Sequence, residues 1–346
     1  MKSFEYDYFL DQPITQKLLM TVRTIGEFRG KEILFKDQFP EVLQTLQKAA
    51  IIQSTESSNR IEGIIVPEKR IRSLIAKNSK PQNRSEEEVA GYKDILTEIH
   101  TNARKYRLTS QLILKWYKQL YRYTSEKVEG FKKEDNAILE ILPNSRTAVR
   151  FQPLSAKSTP KAIEKLCDTF NKSISQNKVE PLLAIASFVL DFECIHPFKD
   201  GNGRMGRLLT LLLLYQAGYE VGRFISIERI IEESKESYYD ALYKSSQKWH
   251  ECEHDLIPWW NYFLGTIIAA YKEFEQRVGK ITTTKGAKRE MVFAAIDKLP
   301  DEFSFSDVQR VSPGISFSTL KRSLQELKKK KLIKTVGKGR DAKYHK

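Results

Sequence analysis

The stretch His196-Pro197-Phe198-Lys199-Asp200-Gly201-Asn202-Gly203-Arg204-Met205-Gly206-Arg207 decides how this chain is read. It joins two apolar segments, Pro181–Cys194 and Arg204–Ala217, each predicted to be a buried helix. The second carries Leu208, Leu209, Leu211, Leu212, Leu213 and Leu214 almost all round and stops at Gly218. A helix without a polar face belongs in the centre of a fold. In the turn, Gly201 and Gly203 flank Asn202, and all three residues tolerate positive φ. Such a turn can aim successive backbone N–H groups at one point, a nest for an anion. The positive end of the following helix faces the same point. Arg204 and Arg207 are three residues apart, on one helix face, where both can meet phosphate oxygens. Asp200 offers a hard oxygen suited to Mg²⁺ bridging phosphates. His196 can act as a general base near neutral pH. Taken singly, a His before Pro, a Gly-Asn-Gly turn or paired arginines are ordinary structural features. Their conjunction describes a nucleotide phosphotransfer site.

Helical periodicity dominates the rest of the 346 residues. The spacing predicts helices over Phe39–Thr55, Ser85–Ala103 (Ser85 as N-cap, Glu86 to Glu88 as first-turn acids), Thr109–Tyr123 and Thr159–Ser175. Further helices are predicted over Ile227–Gln247 and Leu256–Val278. Gly130–Phe151, with Pro143-Asn144 and no helical stripe, reads as a hairpin or extended loop. The composition, 40% hydrophobic and 11% aromatic, excludes collagenous, mucin-like and wholly disordered classes. Three scattered cysteines form no disulfide pattern, and the first residues show no signal-peptide core. The longest purely apolar run, Met291–Ile296, is far too short to span a bilayer. A cytoplasmic protein with no membrane association is expected.

The net charge is +14, and it is concentrated at one end. Residues 280–346 hold 17 Lys/Arg against 7 Asp/Glu, so ten of the fourteen net charges lie in the last fifth of the chain. That asymmetry fits a separate module meeting a polyanion, or a basic tail that serves solubility. Four segments are expected: an N-terminal helical region over 1–104, a core over 105–279, a polar linker over 280–287 and a C-terminal module over 288–346.

The loop from His196 to Arg207 resembles the Fic family signature His-Pro-Phe-x-(Asp/Glu)-Gly-Asn-Gly-Arg-x-x-Arg and matches it at every specified position. The wider likeness covers roughly Lys105–Leu264. It implies a mainly α fold, a Fic-type helical core with a small β-hairpin flap. It also implies a protein adenylyltransferase, moving AMP from ATP to a Tyr, Ser or Thr hydroxyl of a target protein or of itself. On that likeness His196 is the base, Asp200 holds Mg²⁺, and Gly201, Asn202 and Gly203 cradle the α- and β-phosphates. Arg204 and Arg207 would hold the β- and γ-phosphates, and Phe198 would anchor the loop. Tyr238 and Tyr239 sit where relatives place tyrosines near the nucleoside; they also read as core aromatics. Gly130–Phe151 corresponds to the flap that docks the target as an added strand.

Ser57-Ser58-Asn59-Arg60-Ile61-Glu62-Gly63 resembles the inhibitory motif (Ser/Thr)-x-x-x-Glu-(Gly/Asn) of many Fic proteins, with Ser58, Glu62 and Gly63 matching. On that likeness Glu62 would occupy the place of the γ-phosphate at Arg207. The same residues also fit a plain helix cap with Glu62 on the surface. Trp249-His250-Glu251-Cys252-Glu253-His254 has two histidines four apart, the spacing of two metal ligands on a helix, but lacks a second ligand pair.

The C-terminal module reads as helix (Arg289–Leu299), short helix (Ser306–Val311, capped by Ser306), helix (Ser316–Lys331) and a hairpin over Ile333–Tyr344 turning at Gly337-Lys338-Gly339. That order resembles a winged helix-turn-helix domain, often attached to bacterial Fic proteins. The likeness implies DNA contact through Ser318, Thr319, Lys321 and Arg322. Three alternatives stay open: a DNA-binding regulator whose core senses nucleotide, an enzyme that mainly removes AMP, and one that uses another nucleotide donor. The sequence also leaves a homodimer open.

Overall fold

The two apolar segments flanking the signature are buried helices, with every residue from Leu182 to Ile195 and from Met205 to Tyr215 buried. The structure, a computed structural model, describes residues 2–38, 40–76, 79–126, 128–141, 147–177, 179–283, 287–297, 299–312, 315–336 and 343–346. The helices run α1 (Gln16–Gln38), α2 (Pro40–Ile61), α3 (Glu68–Ile75), α4 (Arg84–Asn102) and α5 (Ser110–Leu120). Strands β1 (Ile138–Ile141) and β2 (Thr147–Phe151) follow, then α6 (Thr159–Ser175), α7 (Pro181–Ile195), α8 (Asn202–Gln216), α9 (Ile227–Glu233), α10 (Lys235–Ser246) and α11 (Ile257–Thr283). The chain ends in α12 (Ala287–Asp297), β3 (Glu302–Ser304), α13 (Phe305–Val311), α14 (Phe317–Lys329), β4 (Lys334–Val336) and β5 (Lys343–His345). The fold is mainly α, with small sheets, as expected.

Two compact units are formed, one from residues 1–29 and 47–271, the other from 30–46 and 272–346. In the first, α7 packs on α6, α8 and α10, and α8 packs on α4 and α5. The expected boundary at 104 is therefore not one between units: α4 belongs with the helices that follow it. The boundary expected at 279 falls inside α11, which runs to Thr283, so the threonine-rich stretch continues a helix before any linker begins. The rest of that expected linker, 284–286, lies outside the described residues, apart from Ala287, which opens α12.

Other boundaries moved for identifiable reasons. The segment 227–247 is two helices broken at Ser234, whose Oγ donates to the Ile230 carbonyl. Asn83, not Ser85, caps α4, because its Oδ1 accepts the Glu86 N–H. Ser304, not Ser306, caps α13 through a reciprocal capping box with Asp307. β1 and β2 pair antiparallel with a bulge between Ile138 and Leu139. The hairpin tip at Pro143-Asn144 lies outside the described residues.

In the second unit, Val292, Ile296, Phe303, Val308, Leu320, Leu324, Leu327 and Ile333 form one core under a three-stranded sheet ordered β3-β5-β4. β3 was not anticipated by the sequence, and the Gly337-Lys338-Gly339 turn lies outside the described residues. Among the described residues no helix is long and apolar enough to cross a membrane.

Gly91 marks a close contact between α4 and α5. A Cβ there would overlap the Leu120 carbonyl oxygen at the end of α5. Backbone cannot rotate aside as a side chain can, so Gly91→Ala is expected to lower stability by about 1–3 kcal/mol, read as a fall in urea midpoint at unchanged slope.

Candidate functional site

The site begins where α7 stops. His196 caps that helix in the left-handed region, with φ 49° and ψ 62°, and its N–H donates to the Phe192 carbonyl at 2.9 Å. A non-glycine residue held there is strained and must be fixed by its surroundings. The fixing is visible. Phe198, fully buried, stacks on Tyr117 with ring centroids 3.7 Å apart and planes 8° from parallel. Asn202 locks the turn with two bonds: its Oδ1 accepts the Phe198 N–H and its Nδ2 donates to the Phe198 carbonyl, each at 2.8 Å. Gly201 takes φ 79° immediately before α8.

The segment ahead of the hairpin clasps the same loop. The Lys132 N–H donates to the Pro197 carbonyl at 2.9 Å, and its Nζ donates to the Ile195 carbonyl at 3.0 Å. Asn136 Nδ2 donates to the Phe198 carbonyl at 3.2 Å. Burial brings the Lys132 ammonium down to about 8. Sequence reasoning missed Lys132 and Asn136, since nothing in their spacing links them to a loop sixty residues away.

The two arginines of the signature part company. Arg204 turns inward: its Nη1 donates to Glu88 at 2.6 Å and its Nη2 to the Tyr121 hydroxyl at 2.8 Å. Tyr121 in turn donates to Asp200 Oδ2 at 3.0 Å. Arg204 is thus engaged by buried Glu88 on α4, while its Nη2 also lies 3.5 Å from Asp200 Oδ2, beside the turn where the likeness expects a phosphate. Arg207 faces the other way. Its Nε donates to Ser58 Oγ, one Nη2 bond goes to the Ser58 carbonyl, both at 2.8 Å, and another goes to Glu62 Oε1 at 2.7 Å.

Those partners lie at the carboxyl end of α2, which runs six residues beyond the predicted Thr55 and ends at Ile61. The motif therefore begins in the helix's last turn, with Ser58, and runs two residues past its end, with Glu62 and Gly63 in the turn that follows. Gly63, at φ 80°, supplies the left-handed turn that follows. The Glu62 carboxylate lies against Gly203, where a Cβ would overlap it. The chain's own carboxylate thus meets the amino end of α8, the point at which the sequence predicts an anion. Lys235 secures this arrangement by donating to the Ile61 carbonyl at 2.7 Å, and Arg60 pairs with Glu232 at 3.2 Å.

A cleft of about 740 Å³ opens over these groups, within the range of small-molecule sites. Its walls include Glu62, Glu193, His196, Gly203, Arg207 and Tyr239. Tyr238 also lines it but is buried against Trp259 and Tyr262, so it belongs chiefly to the core. Tyr239 is the more available of the two, and burial pushes its phenol up to about 12. The His196 ring is lowered to about 4 by burial, so it is neutral at pH 7 and able to accept a proton. Its Nδ1 lies 3.3 Å from the Glu193 carbonyl oxygen.

Asp200 is 65% exposed and keeps outward-facing lone pairs although Gly201 N–H and Tyr121 hydroxyl already donate to it. One carboxylate completed by substrate oxygens and water is the usual protein contribution to bound Mg²⁺. Asp200 fits that role; among the described residues no cluster of three His, Cys, Asp or Glu could hold a metal alone. The two histidines once paired as candidate ligands serve elsewhere. His250 Nε2 meets the Gln152 carbonyl, and buried His254 Nε2 meets Ser3 Oγ at 3.0 Å. They lie in a turn past the end of α10, not on one helix face.

Residues 107–214 match the Fic/DOC family model. A Fido domain-containing protein of Dictyostelium discoideum is 42% identical over 65 residues, 18% of this chain and 46% of that protein. The chain thus spans about half the length of that relative. A Fic family protein from Desulfovibrio desulfuricans superposes with a TM-score of 0.63 at 21% identity, over 96% of each chain. A Fic domain-containing signaling protein from Bacteroides thetaiotaomicron gives 0.62 at 22%, over 75% of this chain and 98% of its own. Fic-1 from C. elegans gives 0.58 at 18%, over 77% and 73%. At these identities the structures establish the shared fold.

The Glu88–Arg204 pair is 6% and 1% exposed. Glu88→Ala would remove the carboxylate that directly bonds a buried guanidinium, leaving only Asp200, 3.5 Å from Nη2. A loss of about 3–5 kcal/mol is expected, measured by chemical unfolding.

Proposed function

We propose, from the premise that residues 107–214 form a Fic/DOC domain, that this chain is a protein adenylyltransferase restrained by its own Glu62. Members of that family typically transfer a nucleoside monophosphate to proteins. The observation that carries the reading is the single cleft into which neutral His196, the amino end of α8 and buried Arg207 converge. ATP would lie with its phosphates over Gly201, Asn202 and Gly203 and its terminal phosphate toward Arg207. Since the Asn202 side chain is committed to Phe198, only its backbone is free for phosphate. Tyr239, with Tyr238 behind it, would flank the nucleoside. Mg²⁺ at Asp200 would neutralise charge on the phosphate chain.

His196 Nε2 would take the proton of a target Tyr, Ser or Thr hydroxyl. The oxygen then attacks the α-phosphorus in line, an O–P bond forms, and the bond to pyrophosphate breaks. The protein contributes position and electrostatics rather than a covalent intermediate. The target would add a strand to the hairpin within Gly130–Phe151. Among the described residues β1 pairs with β2 alone, and the cross-strand pair Leu139 and Val149 is exposed, which supports such docking.

The ion pair from Glu62 to Arg207 supports the brake, with Ser58 as its second anchor and Gly63 as the turn behind it. An incoming γ-phosphate would have to displace that carboxylate. Glu62→Gly is expected to raise self-modification by orders of magnitude. The check is intact mass of wild type, Glu62→Gly and Glu62→Gly/His196→Ala with Mg²⁺ and each nucleoside triphosphate. An AMP adduct on Glu62→Gly alone supports donor, brake and base together. Equal adducts on wild type and Glu62→Gly sink the brake, and no adduct on any protein favours a nucleotide-sensing regulator. An adduct from another triphosphate changes the donor, and loss of AMP from a premodified target marks a removing enzyme.

A second reading concerns residues 288–346. Ser318, Lys321 and Arg322 lie exposed on α14, with Thr319 half-buried beside them, above a core that holds three helices and three strands together. We propose a winged helix that meets duplex DNA. Binding by the full chain should weaken steeply with salt, by roughly 0.9 log unit per log unit of salt for each phosphate contact. Lys321→Ala should reduce that slope. A flat binding signal at low salt would sink this reading.

A further inference from the structure

Among the described residues Glu193 is the one buried carboxyl in the cleft wall that neither the signature nor the brake uses. It stands in the last turn of α7, three residues before His196, and reaches toward α8, where a Cβ on Gly206 would overlap it. Its Oε2 lies 3.9 Å from His196 Nδ1, and its own backbone carbonyl lies 3.3 Å from the same nitrogen. Its Oε1 has no hydrogen-bond partner among the described residues. A buried acceptor left unsatisfied costs stability, so its retention calls for a reason beyond packing.

We infer that Glu193 is a positioning residue for His196: its carboxylate behind the ring keeps the proton on Nδ1, turns the Nε2 lone pair to the cleft, and balances the charge the ring gains. This rests on the transfer reading for its kinetic consequence, though not for its geometry. Both oxygen acceptors near Nδ1 belong to Glu193, so the Nδ1–H tautomer is the one that the site stabilises. When Nε2 takes the hydroxyl proton, an imidazolium forms 3.9 Å from the carboxylate, and a negative charge there lowers the energy of that state. No covalent step is added; the proton moves from the target oxygen to Nε2 and Glu193 keeps its own state.

The charge of Glu193 depends on pH. Burial pushes its carboxyl up to about 7; Arg207 on α8 opposes this and Glu62 at the end of α2 adds to it. Tyr238 and Tyr239 on α10, both held protonated by burial, and Cys194 on α7 complete the titratable groups around it. His196 itself sits at about 4, so it is neutral above pH 5.5 and gives no step there. Lys132, brought down to about 8 by burial, also acts on the ring, so the part of a rise in transfer rate around neutrality that Glu193→Gln removes is the part that reports Glu193 losing its proton. Removing Glu62 takes away one raising charge, so in that background the step moves to somewhat lower pH.

The test uses full-length Glu62→Gly, Glu62→Gly/Glu193→Gln and Glu62→Gly/Glu193→Asp, with ATP and Mg²⁺, followed as self-modification from pH 5.5 to 9. Glu193→Gln is expected to lower kcat about 10- to 100-fold at pH 8, leave the KM for ATP within about twofold and flatten the pH step. Glu193→Asp should restore the step in part. A Gln variant with the same kcat and the same step overturns the inference. So does a loss equal at every pH with a raised KM, which marks a packing role. The ring is read separately by ¹⁵N NMR at pH 8 in otherwise wild-type protein. The Nδ1–H form should dominate, and its share should fall in Glu193→Gln; unchanged ring signals overturn the inference. If the ring responds as expected but Glu62→Gly transfers nothing from any nucleotide, the transfer reading fails while the placement of His196 by Glu193 stands.

Discussion

A buried guanidinium must have an anion, and Arg207 is 4% exposed. Left alone, such a charge would cost several kcal/mol. Around this one requirement the end of α2 is organised. Glu62 supplies the charge, and Ser58 supplies a hydroxyl and a carbonyl to the remaining N–H groups. One nitrogen, Nη1, keeps no protein partner among the described residues. Any anion arriving from the cleft finds its cation already engaged, so its affinity is set by competition with Glu62 as much as by its own contacts. The strength of that competitor depends on what holds α2 in place. Lys235 donates to the last carbonyl of the helix, where a cation also suits the dipole, and Ser54 bridges to buried Glu228.

The second constraint is positional. The proposed attack at phosphorus would require base and electrophile to be held to within a fraction of an ångström, which a free loop cannot do. Here the loop has almost no freedom. Phe198 is stacked beneath Tyr117, Asn202 closes the turn with two bonds to a single residue, and Lys132 and Asn136 grip three loop carbonyls between them. The left-handed backbone of His196 is tolerable only inside such a frame. The left-handed turn at that residue ends α7, and the ring lies beside Glu193 and lines the cleft.

What could be read from the sequence divides along the line between local and non-local causes. The buried pair α7 and α8 was legible because it depends on unbroken apolar periodicity, and the loop between them because its residues are contiguous. The Ser58–Glu62–Gly63 spacing was legible for the same reason. The pairing of Glu88 with Arg204 was not, since periodicity places Arg204 and Arg207 on one face and says nothing about which neighbour lies beneath each. Glu88 read only as a first-turn acid, whereas it is buried and bonds a partner 116 residues away. The caps moved by one or two residues wherever a serine or asparagine stood nearby with an equally good side chain. α1, α3 and β3 gave no signal, being polar, short or both.

The inward turn of Arg204 still bears on the cleft, through a chain of donors. Glu88 fixes Arg204, Arg204 donates to the Tyr121 hydroxyl, and that hydroxyl must then point its own proton at Asp200. Burial holds the Tyr121 phenol far above its ordinary value, so it remains a donor at every working pH. The chain therefore fixes the direction of an otherwise exposed carboxylate. Asp200 keeps two oriented oxygens, with Arg204 Nη2 3.5 Å from Oδ2 on the inner side and the outer side exposed. A carboxylate held in that way from beneath presents its outer oxygens in a fixed direction, which is what the proposed Mg²⁺ contact would require.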